Sequence, residues 1–414
     1  MDTSGRSSGT RGRPLWRNRD FVLLESGLLL SSIGTSLTTI AYPLLTISVT
    51  GSAAKAGLVT SARLLPYGGL SLAAGVAADR WSRKGLMIAA DAVRLVAMGA
   101  FAIALLSGGV EFWTIFVVAL VEGTGSTLFT AADAGALRAV VPAHQLPAAA
   151  GTREARRSVV RLGGPPLGGV LYGISRAIPF AANAVSYLCS TVALLAMRTP
   201  FEQRREHAGE SFRAQFAEGF RYMWQHAFLR TTAFVYGAGN LLTTALFLLI
   251  VLIGEAEGLT PGAIGLLSVA VGVGTLVGSL ASPWFRKVFS VRTILLLELW
   301  TWPAVWAFVI WPHVWVLAGW SLLFGIAAPV TDSVVVGYRL AMTPDRLVGR
   351  VESVRTTISL VASPIGPLLA GWLFGVTSAR ETVAVVALGG LALALWGTLS
   401  PAIRAAPSLT ELRG

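Results

Sequence analysis

The stretch GVAADRWSRK, residues 75–84, places four charged side chains between two apolar parts of the chain. They are Asp79, Arg80, Arg83 and Lys84. GSLASPWFRK, residues 278–287, repeats the Gly, Ala, Trp, Arg and Lys, but Ser282 and Pro283 stand where the first stretch has an acid and its neighbouring arginine. A short charged stretch between apolar runs is typical of a loop that joins two membrane helices, and its recurrence indicates a duplicated unit.

The composition is that of an integral membrane protein. Of 414 residues, 54% are hydrophobic and only 13% are charged, and the mean hydropathy is +0.67. The net charge of +12 does not indicate nucleic acid, because basic residues of membrane proteins collect in cytoplasmic loops. The single cysteine, Cys189, excludes an intramolecular disulfide and a cysteine-based metal site, and without a Walker A motif ATP does not drive the protein from within this chain.

Twelve apolar segments have the length of about 20 residues that spans a bilayer as a helix. They run near 21–48, 56–78, 85–107, 112–140, 148–174, 178–197, 230–253, 261–284, 291–311, 314–340, 348–375 and 380–400. Arg and Lys concentrate in the N-terminal tail, the loop after segment 2 and the central linker, which predicts cytoplasmic termini. The predicted organisation is a tail (1–20), a six-helix bundle (21–197), a cytoplasmic linker on the membrane surface (198–229), a second bundle (230–400) and a C-terminal tail (401–414).

The two halves of the chain repeat each other. A shift of 203 positions aligns Gly75, Ala78, Trp81, Arg83 and Lys84 with Gly278, Ala281, Trp284, Arg286 and Lys287. A shift of 202 positions aligns Pro142, Arg153, Pro165, Gly169 and Gly173 with Pro344, Arg355, Pro367, Gly371 and Gly375. Two parallel six-helix halves with a site between them are typical of transporters.

Two motifs resemble those of the major facilitator superfamily. Residues 75–84 are similar to its loop pattern G-x-x-x-D-R-x-G-R-[RK], except at Ser82, and GPPLGG within 161–169 contains the G-P-x-x-G-G core of an antiporter motif in helix 5. That core consists of Gly164, Pro165, Gly168 and Gly169. The stretches LRAVVPAHQLPAAA and LAMTPDRLVGRVESV look most like the twelve-helix branch that includes macrolide and enterobactin exporters. The resemblance implies an all-α membrane fold of twelve helices in two pseudo-symmetric bundles.

The resemblance also implies that residues 75–84 form a gate. Asp79 would pair with a nearby arginine, for which Arg138 at the end of segment 4 is the candidate, and would approach the positive N-terminal end of segment 11. The motif further includes Gly75, Arg80, Arg83 and Lys84. Such a bridge would join the halves in the outward-facing state and break when the inside opens. The alternative is that the charges only fix the topology.

Acidic residues inside the predicted segments are candidates for proton coupling, because an ionisable group in a membrane helix is costly. Glu122 lies near the middle of segment 4, and Asp133 follows on the same helical face. By analogy with the family, segments 1, 4, 7 and 10 line the central cavity, so Asp332 would face it and Glu25 would lie near its cytoplasmic end. We expect Glu122, with Asp133 or Asp332, to couple proton entry to substrate exit; the alternative is a structural pair with an arginine.

Arginines form a ridge at the start of segment 5. Arg153, Arg157 and Arg161 recur at every fourth position and therefore lie on one helical face. They could pair with Asp133 and Glu122 as a salt-bridged gate, or bind an anionic substrate. Arg355 in segment 11 is a further candidate for either role, from the opposite half.

Tryptophans cluster at segments 9 and 10 and predict an aromatic belt at the membrane interface. They are Trp300, Trp302, Trp306, Trp311, Trp315 and Trp320. The four histidines lie in loops or at segment ends without ligand spacing, so neither enzyme chemistry nor a metal site is predicted.

Together these patterns predict a secondary active transporter of the plasma membrane. We expect an exporter (antiporter) of a hydrophobic or amphipathic small molecule, such as a drug, siderophore or natural product, driven by a proton gradient and without a bound cofactor. An uptake permease or facilitator of the same fold and a transport-inactive sensor or scaffold are the alternatives. The expected partners are the substrate, protons and the lipid bilayer, with no nucleic acid, and the expected state is a monomer.

Overall fold

A computed structural model describes residues 14–199, 201 and 212–404. These ranges contain helices and turns and no β-strand. The first half contains α1 (Arg19–Thr50), α2 (Ala53–Gly69), α3 (Ser71–Arg80), α4 (Arg83–Ser107), α5 (Phe112–Val140), α6 (Leu146–Ile174) and α7 (Ile178–Ala196). After α8 (Phe212–Gln225), the second half contains α9 (Ala227–Ala256), α10 (Pro261–Leu267), α11 (Val269–Val288), α12 (Val291–Leu297), α13 (Trp306–Ile310), α14 (Val314–Met342), α15 (Asp345–Ala362), α16 (Ile365–Val376), α17 (Ala379–Leu399) and α18 (Pro401–Arg404). Short 3-10 helices cover Leu15–Arg17, Ala143–Gln145 and Leu299–Val305. The predicted all-α fold is confirmed.

Ten helical stretches of the described ranges are long and apolar enough to cross a membrane, if α10–α11, α12–α13 and α15–α16 each count as one. Each coincides with a predicted segment. The two other predicted segments are helical but differ in form. Segment 2 is divided at Leu70 into α2 and α3, after Pro66 and two glycines, whereas segment 5 is one helix, α6, whose arginines lower its hydropathy.

Two segments predicted as continuous helices are interrupted near a proline. Segment 11 is divided between α15 and α16 at Pro364, and segment 9 contains a 3-10 helix around Pro303. Proline lacks the amide hydrogen that would bond to the preceding turn, which explains why the regular α-helix stops at these points.

The helices pack into two bundles that follow the two halves of the sequence. In the first bundle α1 packs on α6 and α7, and α4 packs on α5 and α7. In the second bundle α11 packs on α14, and α9 packs on α15, α16 and α17. Each bundle has a buried apolar cluster of its own, and two further clusters include residues of both bundles.

The bundles meet most extensively along two helix pairs, α2 with α16 and α6 with α10, and α2 also contacts α15 while α6 contacts α11. A Cβ atom on Gly57 would lie 3.0 Å from Cα of Gly371, and one on Gly265 would lie 2.7 Å from the carbonyl oxygen of Pro165. Only residues without a side chain allow backbones to approach this closely. These glycines therefore make the inter-bundle contact possible.

The bundles separate towards the charged loop at residues 75–84. A Cβ atom on Gly68 would lie 2.8 Å from the backbone of Val361, but no described atom lies within 4 Å of the same position on Gly75. The bundles are thus closed at the face that carries Gly57 and Gly371 and open at the face that carries Gly75. A cavity of about 660 Å³, which we call the central cavity, lies between them.

The predicted tryptophan belt is wrong for two of its six members. Trp302 and Trp320 are fully buried, with ring centroids 5.0 Å apart, and belong to the core of the second bundle. Trp300, Trp311 and Trp315 are exposed on the outer surface, as an interfacial position requires. Sequence position alone did not separate the two groups, because tryptophans of one element differ in burial, as Trp300 and Trp302 do in the 3-10 helix and Trp315 and Trp320 do in α14.

The amphipathic helix α8 lies in the predicted linker and packs against α15. Its Glu218 forms ion pairs with Arg346 and Arg350, and the hydroxyl of Tyr222 donates a hydrogen bond of 2.5 Å to the carbonyl oxygen of Met342. The linker helix is therefore attached to the second bundle.

Candidate functional site

The central cavity combines charged groups from both bundles with apolar walls. Arg63 of α2, Glu154 and Arg161 of α6 and Asp332 of α14 line it. The apolar part of its wall includes Tyr42, Pro43, Leu64, Phe247, Leu248, Val251 and Phe324. A cavity of this kind, mostly apolar with a few charged groups, suits an amphipathic organic molecule.

Glu122 lies at the centre of a buried polar network within the first bundle. Its Oε2 accepts a hydrogen bond of 3.0 Å from Nε of Arg63, and its carboxylate is completely buried. Its Oε1 accepts further bonds from Thr38 at 3.4 Å, Asn183 at 3.3 Å and Tyr187 at 3.2 Å. A buried carboxylate needs such partners, because an unpaired charge in this environment is strongly unfavourable.

Arg63 connects this network to the central cavity. Besides Glu122, its guanidinium donates to the carbonyl oxygen of Thr35 at 2.7 Å and to Oγ1 of Thr39 at 3.1 Å, and it lies over the ring of Tyr42. The structure therefore pairs Glu122 with Arg63 and not with the arginine ridge. Our sequence-based expectations did not include Arg63, although a basic residue inside a predicted apolar segment is the same signal that identified Glu122.

A second charged cluster joins α1, α5 and α6. Nε of Arg153 lies 2.9 Å from Oε1 of Glu25, and its Nη2 lies 2.8 Å from Oδ1 of Asp133. Arg156 approaches the other oxygen of Glu25 at 3.2 Å and donates to Ser32 at 3.0 Å. Two guanidinium groups thus balance two carboxylates. Asp133 also lines a polar cavity of about 410 Å³ within the first bundle.

The remaining arginines of the predicted ridge lie in different surroundings. Arg157 is exposed, lines the polar cavity and forms a 3.5 Å ion pair with Glu154. Arg161, one turn further, lines the central cavity. The ridge is therefore divided between a buried ion-pair cluster at Arg153 and cavity walls further along α6.

An ion pair that the sequence analysis did not single out lies within α4. Asp91 and Arg94 are buried and form an ion pair with each other, and Arg94 donates to Oγ of Ser126 at 3.1 Å. The guanidinium of Arg94 also lies over the rings of Phe129 and Tyr187, 4.9 and 4.3 Å from their centroids. This ion pair could have been found in the sequence, because both of its charged residues lie inside predicted segment 3.

Asp332 is an acidic residue of the second bundle that lines the central cavity. Its carboxylate accepts a hydrogen bond from the hydroxyl of Tyr236 on α9. Glu298, at the junction of α12 with the 3-10 helix, lines an adjoining cavity together with Asp332. Arg355 lies with its guanidinium 5.5 Å from the ring centroid of Tyr236 and forms an ion pair of 2.6 Å with Glu352.

Residues 75–84, which were predicted to form a loop, lie at the open face of the molecule as the end of α3, a two-residue connection at Trp81 and Ser82, and the start of α4. Arg83 donates to the carbonyl oxygen of Ala78 at 3.4 Å, and Nζ of Lys84 donates to that of Met197 at 2.7 Å. Arg80 and Arg138 are exposed near the ends of α3 and α5, and Gly75 lies in α3. The side chain of Asp79 is outside the described residues, so its pairing with Arg138 stays a prediction.

The GPPLGG stretch lies at two close interfaces of α6. Towards α1, a Cβ atom on Gly164 would collide with Ser36, and one on Gly168 would collide with the backbone of Leu37. Towards α10 of the other bundle, a Cβ atom on Gly169 would collide with the carbonyl group of Pro261. Together with the contact between Pro165 and Gly265, these approaches place the motif at the closed junction of the bundles.

Comparison with known proteins identifies the family of the chain. Residues 13–410 match the family described as "Transmembrane secretion effector". The chain belongs to this family of the major facilitator superfamily. A transporter of this superfamily is a multi-pass membrane protein and not an enzyme. Of the described residues, no group of three or more His, Cys, Asp or Glu is placed to hold a metal ion.

Relatives of this secretion effector include named efflux proteins. It is 25% identical over 401 residues to the multidrug efflux pump Tap of Mycolicibacterium fortuitum, covering 92% of this chain and 96% of that protein. It is 23% identical over 358 residues to macrolide efflux protein A of Streptococcus pyogenes, covering 84% and 88%. The structure of a bacterial homologue of the human lysosomal transporter Spinster, inward-facing and unoccupied, superimposes with a TM-score of 0.70 at 15% identity and covers 97% of this chain and 98% of that one.

Proposed function

We propose that this secretion effector exports amphipathic, drug-like small molecules across the plasma membrane by alternating access, in exchange for protons. The observation that carries the proposal is the central cavity, which lies between two bundles that are closed at one face and open at the other. A rigid-body movement of one bundle against the other would reverse this arrangement. The efflux activity in the names of two relatives supports the outward direction.

The proposed orientation places the open face in the cytoplasm. It follows from the basic residues of the loop at residues 75–84 and from those of the N-terminal tail and the linker, by the positive-inside rule. In this orientation both termini are cytoplasmic and the central cavity takes up its substrate from the inside. We further propose that the transporter works as a monomer, because the cavity is built by the two bundles of one chain.

Proton coupling is assigned to the acids around the central cavity. Asp332 lies on its wall, and Glu122 is reached from it through Arg63. Protonation of Glu122 would remove the charge that holds the Arg63 guanidinium, which would alter the cavity wall. The proton gradient then supplies the free energy for export, and no bound cofactor is involved.

Transport by inside-out membrane vesicles tests the proposal. We expect a radiolabelled macrolide to accumulate in vesicles with an acidic lumen and to leave when nigericin collapses the gradient. Glu122→Gln should abolish accumulation, whereas Glu111→Gln, which changes an exposed acid in a loop, is the matched control. Equilibration without accumulation would indicate a facilitator, and no flux of macrolides or other amphipathic drugs would indicate an inactive scaffold.

A further inference from the structure

A second cavity of about 360 Å³ lies inside the second bundle and joins the central cavity. We call it the side pocket. It shares Arg161, Phe324 and Asp332 with the central cavity, and Glu298 and Trp302 lie on its own wall. A ligand in the central cavity could therefore extend one group into the side pocket.

The side pocket contains one carboxylate, that of Glu298, which forms no pair with another described residue. Asp332 accepts a hydrogen bond from Tyr236. Within residues 14–199, 201 and 212–404, the carboxylate of Glu298 has neither a hydrogen bond nor an ion pair to another side chain. Both carboxylates line the same small space, so their charges repel each other unless a positive charge lies near.

The other charged groups of the second bundle do not supply this positive charge in full. Glu352 forms ion pairs with both Arg339 at 2.9 Å and Arg355 at 2.6 Å. Together with Asp332 and Glu298, this gives three carboxylates and two guanidinium groups. Neither arginine lines the side pocket, whereas Asp332 and Glu298 do.

Arg161 reaches the mouth of the side pocket from the other bundle. It lies on α6 and lines both cavities, as Asp332 does. In the described part of the chain no acidic side chain forms an ion pair with it. Its charge offsets part of the charge of the two pocket carboxylates, but no direct bond to a described acid holds it there.

We propose that the side pocket binds the positively charged group of an organic cation, and that Arg161 is an internal counter-charge which such a cation displaces. This inference rests on the proposed export function and names its substrate class. Asp332 and Glu298 attract the cationic group, and the aromatic side chains of Trp302 and Phe324 also line the pocket. The apolar body of the ligand occupies the central cavity.

The position of Arg161 makes the pocket sensitive to the arrangement of the bundles. Arg161 belongs to the first bundle, whereas both pocket carboxylates belong to the second bundle. Any movement of one bundle against the other changes the distance between these charges, so the affinity for a cation differs between the two states of the transporter.

Binding of methyltriphenylphosphonium to the purified full-length protein tests the inference. The labelled cation would be measured in a scintillation proximity assay without any ion gradient. Triphenylphosphine oxide would serve as a neutral competitor of nearly the same shape. Asp332→Asn and Glu298→Gln should each lower the affinity for the cation about tenfold. Arg161→Gln should raise it about fivefold, because the internal competitor is lost, whereas Arg161→Lys should leave it near that of the wild type.

Two controls make the result decisive. Asp332→Glu keeps the charge and should keep the affinity within about threefold, and the melting temperature of each variant identifies misfolding. Absence of cation binding to the wild type, equal displacement by the oxide, or weaker binding in Arg161→Gln would overturn the inference. Cation binding without proton-driven export would instead contradict the proposed function, and export of a neutral macrolide without cation binding would contradict only the side-pocket proposal.

Discussion

Nε of Arg63 lies 3.0 Å from Oε2 of Glu122, and this pair joins the wall of the central cavity to the buried interior of the first bundle. The carboxylate has no solvent exposure and the arginine side chain has 14%. Because α2 and α5 supply one partner each, the pair also holds these two helices together. Backbone packing at the same place is close, since a Cβ atom on Gly123 would collide with the carbonyl group of Arg63.

Glu122→Gln is expected to destabilise the folded protein as well as to stop transport. The amide has the size of the acid but leaves Arg63 without its counter-charge. Removal of one partner of a buried ion pair costs about 3 kcal/mol. A lower midpoint of chemical denaturation in detergent would show this loss.

A double-mutant cycle separates the pair from its surroundings. Arg63→Gln should cost a similar amount, and the double variant should cost at least about 1 kcal/mol less than the sum of the single variants. The matched control is Glu154→Gln, which changes an exposed pair with Arg157 and should alter stability little. Additive effects of Arg63→Gln and Glu122→Gln would show that the pair contributes no coupling energy.

Glu25→Gln is expected to cost more stability than Asp133→Asn. Glu25 approaches Arg153 through one oxygen and Arg156 through the other, whereas the ion pair of Asp133 is with Arg153. Without Glu25, Arg156 loses its nearest carboxylate; without Asp133, Arg153 keeps Glu25. We expect about 3 kcal/mol for the first change and about 1 kcal/mol for the second, measured by denaturation. Equal losses would contradict the unequal roles of the two acids.

Periodicity and charge in the sequence predicted the helical segments and the twofold repeat because lipid imposes the same length and polarity on every span. Residues that the repeat aligns do not have equal surroundings in the structure. Gly278 aligns with Gly75, yet a Cβ atom on Gly278 would collide with the backbone of Ile326 within its own bundle, whereas Gly75 is open. Such differences depend on how the bundles are arranged, which a one-dimensional pattern does not contain.

The charged residues of the candidate site were predicted better than their partners. Glu122 and Asp332 stood out as acids in apolar segments, but the ion pair with Arg63 joins positions 59 residues apart. Helical spacing identifies neighbours on one helix, as for Asp91 and Arg94, and not neighbours on different helices. The contacts between α2 and α5 follow from packing and had to be seen in three dimensions.

Asp79→Asn is expected to leave membrane insertion normal and to abolish transport. Insertion depends on the basic residues of the loop, which this change keeps, whereas the predicted pair with Arg138 needs the carboxylate. Abundance in the membrane fraction and efflux from cells are the two measurements. Arg138→Gln should reproduce the defect, and Arg286→Gln, in the second copy of the loop where no aspartate is present, should retain efflux. Full efflux by Asp79→Asn would rule out the latch.

Gly75→Val is expected to leave the present conformation intact and still to stop transport. No described atom lies within 4 Å of a Cβ atom at Gly75, so the side chain fits, and the higher helix propensity of valine relative to glycine applies equally to the control. Alternating access requires this face to close as the opposite face has closed at Gly57 and Gly371, and a valine would then prevent the close approach of backbones. Gly99→Val changes a glycine of α4 that is equally open and should therefore transport normally. Equal efflux and equal melting temperatures of the two variants would show that the bundles do not close at Gly75.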